Sequence, residues 1–114
     1  MANSSIENTT GPLLHIVLFW LKEPNNKAHR DEFETALKKL ITTNPQAISN
    51  HLGIPANTEK REVIDYSFTY CYTMSFPDIE AQNKYQNDPT HQLFIKEAAQ
   101  LWERVLVNDS LSLS

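Results

Sequence analysis

The sequence predicts an α+β fold in which a four-stranded antiparallel sheet carries helices on one face. Residues 66–76 alternate large apolar and small polar side chains, with the period of two that is typical of a strand. Further apolar runs predict three more strands, and segments with apolar residues at helical spacing lie between them. The predicted order is β-α-β-β-α-β. This order is typical of a split βαβ unit, whose strands form one sheet.

The first half of the chain is predicted to form a strand, a helix and a second strand. Residues 14–21 are apolar almost throughout, which is typical of a strand buried on both faces. Apolar spacing predicts a helix over residues 27–43, which ends at Asn44-Pro45 because the residue before proline disfavours helix. Residues 47–53 predict the second strand, and the charged residues 55–65 predict a mobile loop.

Residues 66–76 are predicted to form the third strand. A short helix is predicted to follow it, and a further helix begins directly after the short one. Asp78 is suited to cap a helix over residues 79–86. Asp88 and Pro89 predict the restart, since Asp accepts a bond from a free backbone N–H and Pro has no N–H to leave unpaired.

The new helix is predicted to bury one apolar stripe, and a last strand is predicted over residues 105–113. His91 then lies at the N-terminal end of an apolar face and points at the core. The stripe consists of His91, Phe94, Ile95, Ala98, Leu101, Trp102 and Val105.

One face of the first strand has no helix to cover it in this arrangement. It carries Leu14, Ile16, Leu18 and Trp20. An apolar patch of that kind is a liability in a monomer, so we expect a homodimer in which the sheet faces of two copies pack together.

The composition limits the classes of function. The chain has 114 residues, 40% hydrophobic and 21% charged, with a net charge of -4. This suits one globular domain over residues 13–114, preceded by a disordered polar tail over residues 1–12. The acidic balance argues against nucleic acid as a partner, and no apolar run approaches the ~20 residues of a membrane span.

The sequence predicts neither a cofactor nor a metal site. Its glycines, Gly11 and Gly53, stand alone, so there is no phosphate-binding loop. The histidines lack metal-ligand spacing, and the single cysteine, Cys71, excludes an internal disulfide. A reducing, cytoplasmic location fits the single cysteine and the polar N-terminal segment, in which no signal peptide is visible.

Several stretches resemble the stress-responsive A/B barrel family, within the dimeric α/β barrel superfamily. The resemblance runs from His15 to Asp109, and its most specific part is the stretch with Tyr85, Pro89, His91 and Phe94. The matching stretches are His15-Ile16-Val17-Leu18-Phe19, the strand ending at Gly53, Thr73-Met74-Ser75-Phe76, the stretch from Tyr85 to Phe94, and Val105-Leu106-Val107-Asn108-Asp109.

The resemblance implies a ferredoxin-like protomer, a dimer whose two sheets form a barrel, and a pocket between sheet and helices. Many members of the family have no assigned activity. A polyketide-cyclase branch has a Tyr and a His at the positions of Tyr85 and His91, and a pocket His at the position of His15. A further pocket His of that branch corresponds to Tyr70, so this chain departs from the branch there.

The candidate catalytic residues are His91, Tyr85 and His15. His91 has the near-neutral pKa that a general base needs, and Tyr85 is suited to orient it or to polarise a carbonyl. His15 would add a second polar group to the pocket. The alternative is structural: the histidines form hydrogen bonds in the core, and Tyr85 packs.

Aromatic and aliphatic residues are expected to line the pocket around a small hydrophobic ligand. The alternative for the aromatic residues of the third strand is plain core packing. The expected lining residues are Tyr70, Tyr72, Phe68, Phe94, Val17 and Phe19.

Three functions remain open at this point. The first is a dimeric small-molecule-binding protein, with or without cofactor-free acid/base chemistry such as polyketide cyclisation. The second is a non-catalytic stress or structural dimer whose pocket is filled by side chains. The third is a cofactor-independent monooxygenase of the wider superfamily.

Overall fold

The predicted four-stranded sheet is present in the computed structural model, which describes residues 11–113. Neighbouring strands are antiparallel, in the order β2-β3-β1-β4. One turn of 3-10 helix, Ala99–Leu101, joins the last helix to the last strand. The elements are β1 (Leu13–Leu21), α1 (Lys27–Thr43), β2 (Ser49–Gly53), β3 (Tyr70–Phe76), α2 (Ile79–Asn87), α3 (Pro89–Ala98) and β4 (Trp102–Leu111). The prediction of an α+β, ferredoxin-like fold is confirmed.

The helices lie on one face of this sheet, where they cover every second residue of β1. The burial of β1 alternates strictly along its nine residues. Phe19 packs edge-on against Phe33 of α1, with 4.9 Å between ring centroids, and against Phe94 of α3 at 6.1 Å. These edge-to-face ring contacts hold α1 and α3 over the centre of the sheet.

The other face of the sheet carries the half-buried residues Leu14, Ile16, Leu18 and Trp20, as predicted. The register places Leu18 between Cys71 of β3 and Leu106 of β4. Apolar side chains therefore form a continuous row across three strands on the face that points away from the helices.

The prediction that the third strand begins at Tyr66 is wrong, because β3 begins at Tyr70. Asp65 and Ser67 form hydrogen bonds through their side chains there and are not part of the ladder. Asp65 Oδ1 accepts from the Ser67 backbone N–H at 2.8 Å, and Ser67 Oγ accepts from Trp20 Nε1 at 3.0 Å. Such side-chain bonds compete with strand pairing, although the sequence pattern continues through them.

The prediction that the last helix extends to Val105 is also wrong. Helix α3 ends at Ala98, and β4 begins at Trp102, three residues before its predicted start. Strand β4 pairs along all of β1, from Leu13 opposite Leu111 to Leu21 opposite Trp102. This long ladder outweighs the helical spacing of Trp102 and Val105, which belong to the strand.

The remaining boundaries lie close to their predictions, except that β2 begins at Ser49 and not at residue 47. Of the predicted tail, residues 1–10 lie outside the described residues, as does Ser114. Gly11 donates its backbone N–H to Ser75 Oγ at 2.9 Å, and a Cβ on Gly11 would clash with the carbonyl of Phe76. Over residues 11–113, no helix is long and apolar enough to cross a membrane.

Candidate functional site

A cavity of about 430 Å³ lies between the sheet and the helices α2 and α3. Strands β1 and β4 form its floor, and the antiparallel register decides which of their residues lie side by side. The pairs on the floor are His15 with Asp109, Val17 with Val107, and Phe19 with Val105. Its volume is within the range of small-molecule sites, roughly 300–1,000 Å³.

The break between α2 and α3 brings two of the predicted catalytic residues together. Asp88 ends α2 and caps α3, where its Oδ1 accepts from the Thr90 backbone N–H at 2.8 Å. This sharp restart places His91, in the first turn of α3, against Tyr85, near the end of α2. Their ring centroids are 4.6 Å apart.

His91 carries a polar atom that the described part of the protein leaves unsatisfied. Its Nδ1 is buried and has no hydrogen-bond partner within residues 11–113. Burial lowers the pKa of His91, and nearby His15 lowers it further, whereas the Gln86 carbonyl and Asp88 act in the opposite direction. His91 is therefore neutral at physiological pH, the form that accepts a proton.

Tyr85 lies between the two histidines and is only 2% exposed. Its ring centroid is 5.9 Å from that of His15 and 4.6 Å from that of His91. Burial, and to a smaller extent Tyr72, raise the pKa of Tyr85, so its hydroxyl stays protonated. That hydroxyl makes no hydrogen bond to another residue in the range 11–113, which leaves it free to donate to a ligand.

His15 is held in place by a carboxylate that sequence reasoning did not single out. His15 is 4% exposed, and its Nδ1 lies 2.5 Å from Asp109 Oδ1 on the neighbouring strand. A carboxylate at Nδ1 favours the tautomer whose proton is on Nδ1 and whose lone pair is on Nε2. The pair thus fixes both the orientation and the proton-accepting atom of the ring.

The structure does not bring Tyr70 and Phe68 to this cavity. Tyr70 stacks on Phe33 of α1, with 4.7 Å between ring centroids, and donates its hydroxyl to Glu34 Oε2 at 2.5 Å. Phe68 precedes β3 and is half-buried. The two residues share the predicted face of the strand but lie too far along it, so their prediction as ligand contacts does not agree with this geometry.

The other predicted lining residues do reach the cavity, and the prediction of ligand binding by them stays a prediction. Tyr72 is among them, although its hydroxyl already donates to Asn50 Oδ1 at 2.6 Å. The predicted residues at the cavity are His15, Val17, Phe19, Tyr72, Tyr85, His91 and Phe94.

Half of the lining was missed from the sequence. The residues of β4 were missed because their partner strand and register are long-range properties, and Trp102 had been assigned to a helix. Gln82 and Gln86 were missed because polar side chains on α2 look like a solvated face, and Ile95 was assigned to the buried stripe of the last helix and not to the pocket. The missed residues are Gln82, Gln86, Ile95, Trp102, Val105, Val107 and Asp109.

Within residues 11–113, no group of three or more His, Cys, Asp or Glu side chains is arranged to hold a metal ion. The chemistry available at the cavity from these residues is that of imidazole, phenol, carboxylate and carboxamide groups. Together they can take up a proton, return it, and donate hydrogen bonds to an oxygen.

Comparisons with solved structures place this geometry among known folds. A dabb family protein with a ferredoxin-like fold, from Mesorhizobium loti, is 20% identical to this chain. The match covers 90% of this chain and 97% of that chain, with a TM-score of 0.72. A dimeric ferredoxin-like protein of unknown function from Thermobifida fusca is 17% identical, with 94% and 99% covered and a TM-score of 0.71. The hydroxynitrile lyase of Passiflora edulis is 20% identical, with 87% and 91% covered and a TM-score of 0.71.

No curated protein matches the chain. The family model described as the stress responsive A/B barrel domain matches residues 13–112, which is nearly the whole sequence. The fold, the restart between α2 and α3 and this match agree: the chain belongs to the stress-responsive A/B barrel domain family.

Proposed function

We propose that this protein binds a small hydrophobic carbonyl compound in the cavity and performs cofactor-free acid/base chemistry on it. The observation that carries the proposal is the buried Nδ1 of His91, which has no hydrogen-bond partner within residues 11–113 and lies beside Tyr85 at an open cavity. Buried polar groups without partners are rare and costly, and a ligand in the cavity would supply the partner of this one.

His91 acts as the general base in this mechanism. It removes a proton from the carbon next to a carbonyl group, and the electron pair of the broken C–H bond forms an enolate. Tyr85 donates its hydroxyl proton in a hydrogen bond to the enolate oxygen, where negative charge develops. In a polyketide-like chain the enolate carbon then attacks a second carbonyl group, and His91 returns its proton to the new alkoxide.

The proton-transfer step can be tested without knowing the natural substrate. Phenylacetone is a small aromatic ketone that fits the volume of the cavity, and its α-protons exchange with D₂O when a base removes them. We expect the wild-type protein to accelerate this exchange, measured by the loss of the α-proton signal in ¹H NMR. His91→Gln should reduce the acceleration by ~100-fold or more.

His51→Gln is the matched control, since His51 is an exposed histidine on β2, away from the cavity. It should exchange phenylacetone protons at the wild-type rate. The proposal is wrong if the wild-type protein does not exceed the buffer rate, or if His91→Gln retains the full acceleration.

A second candidate reaction is cleavage of a cyanohydrin, because a hydroxynitrile lyase shares the fold. The same groups suffice: a histidine takes the hydroxyl proton, the carbon–carbon bond to the nitrile breaks, and cyanide leaves. Release of cyanide from an aromatic cyanohydrin, without α-proton exchange, would select this reaction. Oxygen uptake with an electron-rich aromatic compound would instead select a monooxygenase.

We propose further that the protein is a homodimer that forms by contact between the open sheet faces. The row of apolar residues on β1 supports this, as do the descriptions of neighbours as dimeric ferredoxin-like proteins. A cytoplasmic location remains a prediction from the sequence.

A further inference from the structure

A second cavity, of about 360 Å³, lies beside the first, between α2 and the start of β1 and the end of β4. Two residues, Gln82 and Asp109, line both cavities. They are polar, and they adjoin the polar end of the cavity floor at His15. The floor becomes apolar from there, through Val17 to Phe19, over a length of ~13 Å along the strand.

Gln82 is a buried polar side chain for which residues 11–113 provide no hydrogen-bond partner. It lies on α2 and is 8% exposed. Its backbone N–H bonds to the Asp78 carbonyl in the helix, but its side-chain carboxamide makes no hydrogen bond to any residue of 11–113. A carboxamide in such a position offers two N–H donors and one oxygen acceptor to whatever occupies the cavity.

Asp109 lines the same cavities, and one of its two carboxylate oxygens contacts His15. Its Oδ1 binds His15, and its side chain is 50% exposed. Oδ2 therefore remains available to accept a hydrogen bond. The combination of a carboxylate oxygen and a carboxamide oxygen favours a ligand group that donates, and it disfavours a ligand that carries its own negative charge.

We propose that Gln82 and Asp109 form a polar subsite that binds the hydroxyl group of a neutral, otherwise hydrophobic ligand. The hydroxyl donates to one of the two side-chain oxygens and accepts from the Gln82 amide, while the apolar part of the ligand lies toward Phe19 and Trp102. This inference rests on the proposed function, because it identifies the ligand class of the same cavity: neutral phenols or alcohols, not carboxylates.

Three probes of matched shape test the subsite: 4-ethylphenol, ethylbenzene and 4-ethylbenzoate. Affinities for the full chain are measured by titration in ¹H–¹⁵N NMR spectra, with the residues of the cavity as the reporters. The wild-type protein should bind 4-ethylphenol about five- to tenfold more tightly than ethylbenzene, which is the effect of one or two hydrogen bonds. It should bind 4-ethylbenzoate more weakly than the phenol.

Gln82→Met keeps the length of the side chain and removes its hydrogen bonds. In this variant the preference for 4-ethylphenol over ethylbenzene should fall below ~2-fold, through loss of phenol affinity. Gln100→Met is the matched control, because Gln100 is an exposed glutamine that lines neither cavity. It should keep the wild-type preference.

Asp109→Asn gives a second test that does not depend on the folding of a buried variant. Removal of the negative charge should improve the affinity for 4-ethylbenzoate relative to 4-ethylphenol by ~3-fold or more, a modest effect because Asp109 is partly exposed.

The outcomes separate the subsite from the cavity itself. If none of the probes perturbs the cavity residues of the wild-type protein, the proposed binding function is wrong and the subsite with it. If the phenol and ethylbenzene bind equally well in the cavity, the cavity binds ligands but the subsite is refuted. An unchanged phenol preference in Gln82→Met, or a wild-type preference for the benzoate, also refutes the subsite.

Discussion

The tyrosines of the core differ in what their hydroxyl groups contact. Tyr70 donates to Glu34, and Tyr72 donates to Asn50. Tyr85 is equally buried but has no such partner within residues 11–113. A hydroxyl that donates a hydrogen bond to another residue contributes to stability, whereas a hydroxyl without such a partner is available to a ligand.

Tyr70→Phe should therefore reduce stability and not activity, whereas Tyr85→Phe should reduce activity and not stability. Tyr70→Phe loses a hydrogen bond to a carboxylate and should lower the free energy of unfolding by about 1 kcal/mol. It should leave phenylacetone exchange unchanged, because Tyr70 lies under α1 and not at the cavity. Urea unfolding and the exchange assay provide the two measurements.

Tyr85→Phe should change the free energy of unfolding by less than about 0.5 kcal/mol, since no protein hydrogen bond is lost. It should slow exchange by ~10-fold or more, because the enolate oxygen loses its donor. A Tyr85→Phe variant with full activity and reduced stability would assign Tyr85 to the core, as the structural alternative holds.

His91 makes a prediction about pH, because burial lowers its pKa below the ordinary value of 6.5. Between these two pKa values, the unfolded protein binds more protons than the folded one. The contribution of His91 to stability is thus fully present above the unfolded value and is lost as the pH falls toward the folded value.

The free energy of unfolding of the wild-type protein, minus that of His91→Gln, should accordingly rise between pH 5 and pH 7.5, the interval that spans ~6.5. Urea unfolding at several pH values measures this difference. A difference that falls with rising pH would mean that the folded protein stabilises the charged form of His91.

Part of the candidate site could be predicted from the sequence, for reasons that individual residues show. His91 and Tyr85 are six positions apart, and the Asp88-Pro89 signal predicted the turn that brings them together. Asp109 and Trp102 could not be identified, because their place at the cavity depends on the register between β1 and β4. The register between strands this far apart in the sequence, such as those of His15 and Asp109, which lie 94 positions apart, is decided by tertiary packing and not by local pattern.

Among the elements, the break between α2 and α3 is the one that brings Tyr85 and His91 of the candidate site together. Asp88 is bound on both sides: Oδ1 accepts from Thr90, and Oδ2 accepts from Gln46 Nε2 at 3.1 Å in the connection between α1 and β2. The hydrogen bonds from Thr90 lower the pKa of Asp88. The cap therefore fixes the start of α3, and with it the position of His91.

Asp88→Ala should lower the free energy of unfolding by about 1–2 kcal/mol, as expected for loss of an N-cap. It should also slow phenylacetone exchange, because the first turn of α3 carries His91. Asp78→Ala is a matched control: Asp78 Oδ1 caps α2 by accepting from the Ala81 backbone N–H at 2.8 Å. It should lose similar stability and keep its activity, and equal losses of activity in both variants would contradict a specific role of the break.

The element boundaries show where local pattern ceases to decide structure. Helix α1 was predicted at its observed limits because its apolar stripe and the proline after Asn44 agree, and the structure adds Asn26 as its N-cap. The alternating pattern before Tyr70 and the helical spacing after Ala98 were real, but partners elsewhere in the chain overrode both. The errors arose where partners elsewhere in the chain, and not the local pattern, decided the conformation of a segment.

For the whole molecule, the open sheet face is the main feature that a single protomer does not explain. Leu18 lies at its centre, flanked by Cys71 and Leu106 on the neighbouring strands. The helices already occupy the other face, so a second sheet is the element that would cover this row at low cost. In a two-fold symmetric dimer each such residue enters the interface twice.

Leu18→Lys should therefore dissociate the dimer, because two ammonium groups would enter an apolar contact without partners. The protomer itself should stay folded, since Leu18 is only half-buried and a lysine there can reach water. Sedimentation velocity at micromolar concentration should give about twice 13.1 kDa for the wild-type chain and 13.1 kDa for the variant. Val63→Lys, at a loop position 88% exposed, is the control that should remain dimeric. A wild-type mass of 13.1 kDa would refute the dimer, whereas an unchanged dimer in Leu18→Lys would move its interface to another surface.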